Sequence, residues 1–364
     1  MKKILIITPN SSHVFGFRKS LIDTLKSKNF AVSVIAFDDD YKDRILEYGV
    51  DFHFIKDKNR SINPFKILSL SKKIAKEIKC IKPYMVFSFQ LKPNTFGVLA
   101  AHKAGIENIY SMVEGAGDVF IKNGFKWKVI RSVVCRLYKK AFKFSKKVFF
   151  LNNDDKAEFI ERELVKEEQC EIVHGIGVDL ERFTYKPVKN NRTFLMIARM
   201  LKTKGVFEYC ECARIVKQKY PDAVFNYLGA EVELKQSDIK SYIDDGSINY
   251  LGTTSDVRPY IEECFINVLP SYREGFGLVN AESAAMGRPS ITCDTNGTRD
   301  TVIDGYNGFL IEKKDVKAMA EKCIYAIEHF DEMVIMGQNA RKFAEENFDC
   351  NKINEKIVKS IGLI

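Results

Sequence analysis

The residues best suited to chemistry stand in one short stretch, Val268-Leu-Pro-Ser-Tyr-Arg-Glu274-Gly-Phe-Gly-Leu-Val-Asn-Ala-Glu282. Glu274 precedes a helical pattern and Glu282 follows eight residues later, a separation of about 12 Å at α-helical rise. That is the span of a sugar diphosphate, so one carboxylate could hold sugar hydroxyls and the other a ribose. Gly275 and Gly277 allow the backbone to approach a ligand at the helix mouth. A glutamate set among Ala, Ser and Met on a helix packed against a sheet is costly to bury alone, so Glu282 calls for a polar partner.

A second constellation lies upstream, at Arg199-Met-Leu-Lys-Thr-Lys204-Gly205. It falls where an apolar strand pattern ends and a helix begins, and a helix N-terminus attracts anions through its free N–H groups and dipole. Two cations five residues apart suit a diphosphate and could neutralise a leaving group without a metal. The plainer reading is two surface cations beside a turn.

The elements that must position these groups form two series. In the first, strand-like runs at 3–8, 31–37, 52–55, 84–87, 109–112, 148–151 and 171–173 alternate with helical patterns near 17–28, 64–80, 95–104, 126–143 and 154–164. Continuous apolar strands alternating with amphipathic helices predict a parallel sheet covered on both faces. A polar, Pro- and Asn-containing stretch then reads as a linker. Strands follow at 194–198, 223–228, 248–250, 266–269 and 290–292, with helices at 205–219, 256–263, 278–287 and 315–329 and a helical tail over 331–362. The expected fold is α/β, with two tandem Rossmann-like, doubly wound domains facing across a cleft. Their expected bounds are 1–183, a linker at 184–191, 192–345, and a C-terminal helix at 346–364 crossing back to the first domain. In such sheets ligands bind at the C-terminal ends of the strands.

Several function classes drop out. The loop after the first strand, Thr8-Pro-Asn-Ser-Ser-His-Val-Phe-Gly-Phe17, has one glycine, so the dinucleotide fingerprint is absent, as is a Walker loop. The nine cysteines form no C-x-x-C or zinc spacing, which with the four-residue apolar run after Met1-Lys-Lys predicts a cytoplasmic chain with reduced thiols. No apolar run approaches the roughly 18 residues of a spanning helix. Asp38-Asp-Asp40 could chelate a metal through a diphosphate or simply close a strand in a solvated turn. The turn is the reading adopted, so no metal and no cofactor are expected.

Taken together these residues resemble the retaining family-4 glycosyltransferases of the GT-B fold. Glu274 and Glu282 match their E-x7-E motif, Arg199 and Lys204 their diphosphate pair, and His174-Gly-Ile-Gly-Val-Asp-Leu-Glu-Arg-Phe183 the segment ending their first domain. The first half is similar to bacterial N-acetylgalactosaminyltransferases that extend undecaprenyl-diphosphate-linked sugars. It shares Phe17-Arg18, Ser61-Ile-Asn-Pro-Phe65, Lys92-Pro-Asn94-Thr-Phe-Gly and Val113-Glu114-Gly-Ala-Gly117 with that group.

The resemblance implies transfer of an N-acetylhexosamine, with GalNAc favoured, from a UDP-sugar to a polyprenyl-diphosphate-linked saccharide, with retention. The alternatives are a galactosyl- or glucosyltransferase of the same class, a nucleotide-sugar epimerase or hydrolase, or a non-catalytic nucleotide-sugar-binding subunit at the membrane. The donor would lie against Gly16, Arg199, Lys204, Thr254, Val257, Glu274, Gly275, Phe276, Gly277, Leu278 and Glu282. The acceptor would meet His13, Arg18, Lys92, Asn94, Glu114 and His174. Glu114 stands where many members place a histidine. It could orient the acceptor hydroxyl, stabilise charge at the anomeric carbon, or cap the Gly115–Gly117 turn.

Charge points to where the acceptor is met. The net charge is +9, yet residues 1–180 hold 32 Lys/Arg against 21 Asp/Glu while 181–364 hold 25 against 27. Ten of those cations lie in 122–147 with no acid, interleaved with Phe125, Trp127, Val129, Ile130, Val133, Val134, Leu137, Tyr138, Phe142 and Phe144. That pattern predicts a helix seeking an anionic membrane surface from the cytoplasmic side. The other reading is that the apolar stripe packs on the sheet. No nucleic-acid motif accompanies the charge.

Overall fold

The computed structural model describes residues 1–57, 64–115, 117–121 and 124–363. Ser61–Asn63, Ala116 and Lys122, which belong to stretches singled out above, lie outside them. The chain divides into two compact units, Met1–Ile176 with Cys350–Ile364, and Gly177–Asp349.

The first unit is built on seven parallel strands: β1 (Lys3–Ile7), β2 (Ala31–Ala36), β3 (Asp51–Phe54), β4 (Met85–Phe89), β5 (Ile109–Val113), β6 (Lys147–Phe150) and β7 (Cys170–Ile172). Their order is β3-β2-β1-β4-β5-β6-β7. Ile4 to Ile7 are wholly buried, as a strand covered on both faces requires. The second unit has six parallel strands: β8 (Thr193–Ile197), β9 (Val224–Leu228), β10 (Asn249–Tyr250), β11 (Ile266–Leu269), β12 (Ser290–Cys293) and β13 (Gly308–Ile311). Their order is β10-β9-β8-β11-β12-β13. Both are doubly wound sheets, with strand order reversing between β1 and β4 and between β8 and β11. In such sheets ligands bind at the carboxyl ends of the strands, at the switch point.

Three features depart from the sequence expectation. The helix Lys42–Glu47 and strand β13 had no counterpart in the pattern reading. The polar stretch 184–191 is packed on the second unit rather than free as a linker. The Lys186 N–H donates to the Met286 carbonyl at 3.3 Å, the buried Arg288 guanidinium donates to the Lys186 carbonyl at 2.7 Å, and Val188 joins the core. Upstream, Arg341 donates to the Phe183 carbonyl at 2.9 Å. The division therefore falls at Ile176/Gly177.

The helix Cys350–Ser360 belongs to the first unit. It buries Ile353, Ile357 and Val358, and Asn354 donates to Ser20 Oγ at 2.6 Å. Tyr110 donates to the Ile361 carbonyl at 3.2 Å, and Lys147 to Ser360 Oγ at 2.9 Å. The last residues thus complete a sheet whose first strand begins at Lys3. Ile357→Ala is expected to cost about 2–5 kcal/mol, the range for deleting a buried isoleucine side chain. Urea unfolding measures it, and a cost under about 0.5 kcal/mol would mean the helix is peripheral to that core.

Candidate functional site

In the second unit the loops leaving β8 and β11 meet at the switch point. After β8 the chain passes Arg199, makes a 3₁₀ turn over Lys202–Lys204, and enters the helix Val206–Lys219 through Gly205 in left-handed backbone (φ 74°). A Cβ at Gly205 would lie 2.3 Å from the Pro270 carbonyl oxygen, so only glycine lets the loops close. The Tyr272 N–H donates to the Thr203 carbonyl at 2.9 Å and fastens them. No side chain caps the helix Val206–Lys219, which leaves its first N–H groups for a ligand.

This contact puts Lys204 against Glu274. Their side chains form an ion pair, both largely enclosed, and Ser271 Oγ donates to the same Glu274 oxygen at 2.7 Å. Behind Glu274 the chain is pinned by its own N–H to the Asn296 carbonyl at 3.0 Å and by the Gly277 N–H to the Gly297 carbonyl at 2.9 Å. A buried polar ladder supports both loops. Asn267 donates to Asn280, Asn280 to Thr301 Oγ1 at 2.9 Å, and Thr295 to the Ser271 carbonyl at 3.0 Å. Phe276 is buried against Phe348, and Leu278 opens the helix Leu278–Ala285.

Arg199 and Glu282 differ from this pair in having no partner. Arg199 is exposed, and no ion pair or side-chain hydrogen bond engages it among the described residues. Glu282 is half-buried and, contrary to the expected polar partner, makes no side-chain hydrogen bond among them. Burial pushes its carboxyl up to about 8, with the nearby Arg182 charge opposing. A half-buried carboxyl with no side-chain partner among the described residues is suited to receive hydroxyls. Thr254 Oγ1 and Asp256 close a small turn, with the Asp256 N–H donating to Thr254 Oγ1 at 3.1 Å, just before Val257 starts the helix Arg258–Glu263.

In the first unit the loops leaving β1 and β4 play the corresponding part, and each enters its helix through a π-helical turn, Val14–Arg18 and Pro93–Gly97. Such turns recur at functional sites. Gly16 has ordinary backbone angles and open space where a Cβ would go. His13 Nδ1 lies 3.3 Å from Thr8 Oγ1. Burial, then the Arg18 charge, lowers the His13 imidazole below its ordinary value against the pull of Glu114 and Asp38. Asp38 accepts from the Ser11 N–H at 3.0 Å.

Two acceptor expectations are revised. Arg18 is 1% exposed, not an open cation, because it is ion-paired to Glu114 and stacked over Phe89 at 3.8 Å. Asn94 is fully buried, donating to the Met112 carbonyl at 2.7 Å and accepting from Ser88 at 2.8 Å, so it is scaffold. Lys92 pairs with Asp57 at 2.6 Å. His174 stays exposed after β7.

The basic helix Phe125–Phe142 is also corrected. Val134, Tyr138 and Phe142 are core, and Lys139 pairs with Glu163 at 2.8 Å. Only its first two turns combine exposed apolar and basic residues, with Phe125 at 84% and Val129 at 49% exposure beside exposed Lys126 and Lys128. Sequence reading missed Gln90, which donates to Glu114 at 3.1 Å, and Arg182, the cation facing Glu282. Gln90 directly follows β4 at the switch point, and that placement was the available signal.

With the geometry in hand, comparison with known proteins is informative. Residues 178–343 match the family described as glycosyl transferases group 1, and residues 3–152 the family described as glycosyl transferase 4-like. The N,N'-diacetylbacillosaminyl-diphospho-undecaprenol alpha-1,3-N-acetylgalactosaminyltransferase of Campylobacter jejuni is 30% identical across 98% of this chain and 97% of its own. The UDP-Gal:alpha-D-GlcNAc-diphosphoundecaprenol alpha-1,3-galactosyltransferase of Escherichia coli is 26% identical across 92% and 89%. Among solved structures, Anabaena HepE in complex with UDP and glucose superposes with a TM-score of 0.82 at 19% identity, covering 100% of both chains. That likeness establishes the GT-B fold.

The raised Glu282 carboxyl has a measurable consequence. Between its ordinary 4.5 and about 8 the folded chain holds a proton that the unfolded chain releases, so this group costs stability as pH rises through that window and no further above it. Glu282→Gln removes the cost. The Tm advantage of Glu282→Gln over the parent should therefore widen from pH 5 to pH 8. A constant difference would contradict the burial of this carboxyl.

Proposed function

This chain belongs to the group 1 glycosyltransferases, and from that premise we propose that it moves an N-acetylhexosamine, GalNAc in the favoured reading, from a UDP-sugar to a polyprenyl-diphosphate-linked saccharide. The reaction is taken to retain anomeric configuration and need no metal, and to serve surface polysaccharide or glycan assembly. The observation that carries the reading is the meeting of Lys204 and Glu274 at the switch point of the second sheet, flanked by Arg199 and Glu282, whose side chains have no hydrogen-bond partner among the described residues. The full-length likeness to a transferase of that description supports the choice of substrates.

The chemistry follows from the charges. A diphosphate arriving at the uncapped helix draws Lys204 from Glu274 and gains Arg199, and Glu274 is then free to accept sugar hydroxyls. Glu282 takes the ribose, and the 254–257 turn flanks the base. The bond from C1 to the UDP oxygen breaks, and a bond from C1 to the acceptor oxygen forms on the same face. The acceptor proton passes to a departing phosphate oxygen, whose charge Arg199 and Lys204 stabilise. In the first unit, Glu114 meets the acceptor.

Among the described residues no helix is long and apolar enough to cross a membrane. Contact with a lipid-linked acceptor is assigned to the first two turns of the basic helix, where Phe125 and Val129 present apolar surface between Lys126 and Lys128.

Transfer is tested by incubating radiolabelled UDP-GalNAc, UDP-GlcNAc, UDP-Gal and UDP-Glc with polyprenyl-diphosphate N-acetylhexosamine in EDTA. Transfer from one N-acetylhexosamine donor is expected; activity only on restoring Mg or Mn would overturn the metal-free reading. Arg199→Ala should slow transfer by about 100-fold or more, the scale of losing one transition-state donor. Glu274→Gln should reduce turnover more than UDP affinity, and equal loss of both would place Glu274 on the nucleotide. Lys126→Ser with Lys128→Ser and Phe125→Ser should weaken sedimentation with anionic vesicles while leaving UDP binding intact; unchanged sedimentation would remove the membrane assignment.

A further inference from the structure

The Arg18–Glu114 pair makes little sense as a stabilising device. Arg18 is 1% exposed, and its guanidinium lies over the Phe89 ring at 3.8 Å. One terminal nitrogen donates to Glu114 Oε1, and the other reaches the Phe17 carbonyl at 3.4 Å. Its Nε is buried with no hydrogen-bond partner among the described residues. Taking a guanidinium out of water and leaving a donor unmet is expensive, and a buried ion pair rarely exceeds an apolar replacement in stability.

The carboxylate is held from its other side as well. Gln90 Nε2 donates to Glu114 Oε2 at 3.1 Å. Gln90 stands in left-handed backbone (φ 69°), a conformation unfavourable for glutamine. It is kept there by its own N–H to the Met112 carbonyl at 3.3 Å and by the Asn94 N–H to its carbonyl at 2.9 Å. Asn94 in turn donates to the Met112 carbonyl, so the end of β5, two residues before Glu114, is tied twice to the loop that holds Gln90. Strain, an unmet donor and a buried charge converge on one carboxylate that keeps an open edge, with a side-chain exposure of 12%.

We propose that Arg18 and Gln90 are positioning residues that fix the Glu114 carboxylate, one on each oxygen, so that its remaining lone pairs accept the reacting hydroxyl of the acceptor saccharide. This rests on the placement of Glu114 in the site above and names the residues that orient it. The role is to aim the hydroxyl, while its proton goes to the leaving phosphate. His13, with Asp38 across the loop, completes the charged surroundings of Arg18 and Glu114.

The test uses the full chain with the donor and acceptor on which the parent turns over. Gln90→Leu should lower kcat, or raise the acceptor KM, by about 10- to 100-fold, with UDP affinity and Tm near the parent's. Gln90→Glu is the sharper variant. Protonated, its carboxylic acid replaces the amide donor; ionised, it repels Glu114. Its activity should approach the parent's at low pH and fall as pH rises, adding an alkaline limb that the parent profile, with His13 intact, lacks. Arg18→Lys, which keeps the charge but loses the fork, should recover only part of the activity that Arg18→Met loses. If Glu114→Gln is inactive while both Gln90 variants match the parent in kcat, acceptor KM and pH profile, the positioning role is overturned and the site reading survives. If Gln90→Leu loses UDP affinity and Tm along with turnover, its role is structural and the proposal fails. If Glu114→Gln itself turns over normally, the placement of Glu114 fails first.

Discussion

Lys204 meets Glu274 because two backbone stretches run closer than any side chain permits. Gly205 lies against the Pro270 carbonyl, and a Cβ at Gly297 would be 2.4 Å from the Glu274 carbonyl oxygen. Gly229 is bound more tightly still, since a Cβ there would stand 1.7 Å from the Ala198 carbonyl oxygen. These contacts set how far the loops leaving β8, β9 and β11 can spread. The ladder of Asn267, Asn280 and Thr301 then ties β11 to the helix Leu278–Ala285 and the turn at 299–301 by hydrogen bonds that water does not reach. Everything assigned to the donor depends on this closeness, because a cation a few ångströms further from the carboxylate would share no ligand with it.

The two units repeat one topology and use it for different chemistry. At the second switch point the Lys204–Glu274 pair is largely enclosed yet keeps exposures of 14% and 17%, and in the proposed function an incoming anion takes Lys204 from Glu274. At the first, Arg18 is sealed beneath its partner and stacked on Phe89, so the pair is a fixture rather than an exchangeable contact. Exchange suits a nucleotide that enters and leaves each cycle. Fixation suits a group that must present one orientation to a hydroxyl. The basic helix shows the same economy of design, since its C-terminal half is core and only its first turns offer Phe125 and Val129 to a surface.

Much of this was legible in the sequence, for local reasons. The spacing of Glu274 to Glu282, and of Arg199 to Lys204, is fixed within one loop and one helix, so residue order alone brings those groups together. Most apolar strands are short, unbroken and bounded by turn residues, and their pattern is strong. What escaped is non-local. Gln90 and Arg18 acquire meaning only when β1, β4 and β5 lie side by side. The stretch 184–191 has the composition of a linker, yet Arg288 and Met286 capture its backbone, and no side-chain pattern announces a carbonyl that accepts from a distant arginine. Strand β13, only four residues long and directly after the polar Tyr306-Asn307, is too short and too isolated to register as a period. The basic helix misled because the same apolar spacing serves a core and a membrane alike.

The central claim is that Lys204, freed from Glu274, binds the diphosphate. Calorimetric titration of UDP and of uridine into the full chain in EDTA tests it, comparing the parent with Lys204→Met. The account predicts that Lys204→Met loses about tenfold or more in UDP affinity while uridine binds as before, since a charge-assisted bond to phosphate is lost and the base contacts remain. Equal affinities of the two proteins for UDP, or a parallel loss for uridine, would place the diphosphate elsewhere and contradict the account.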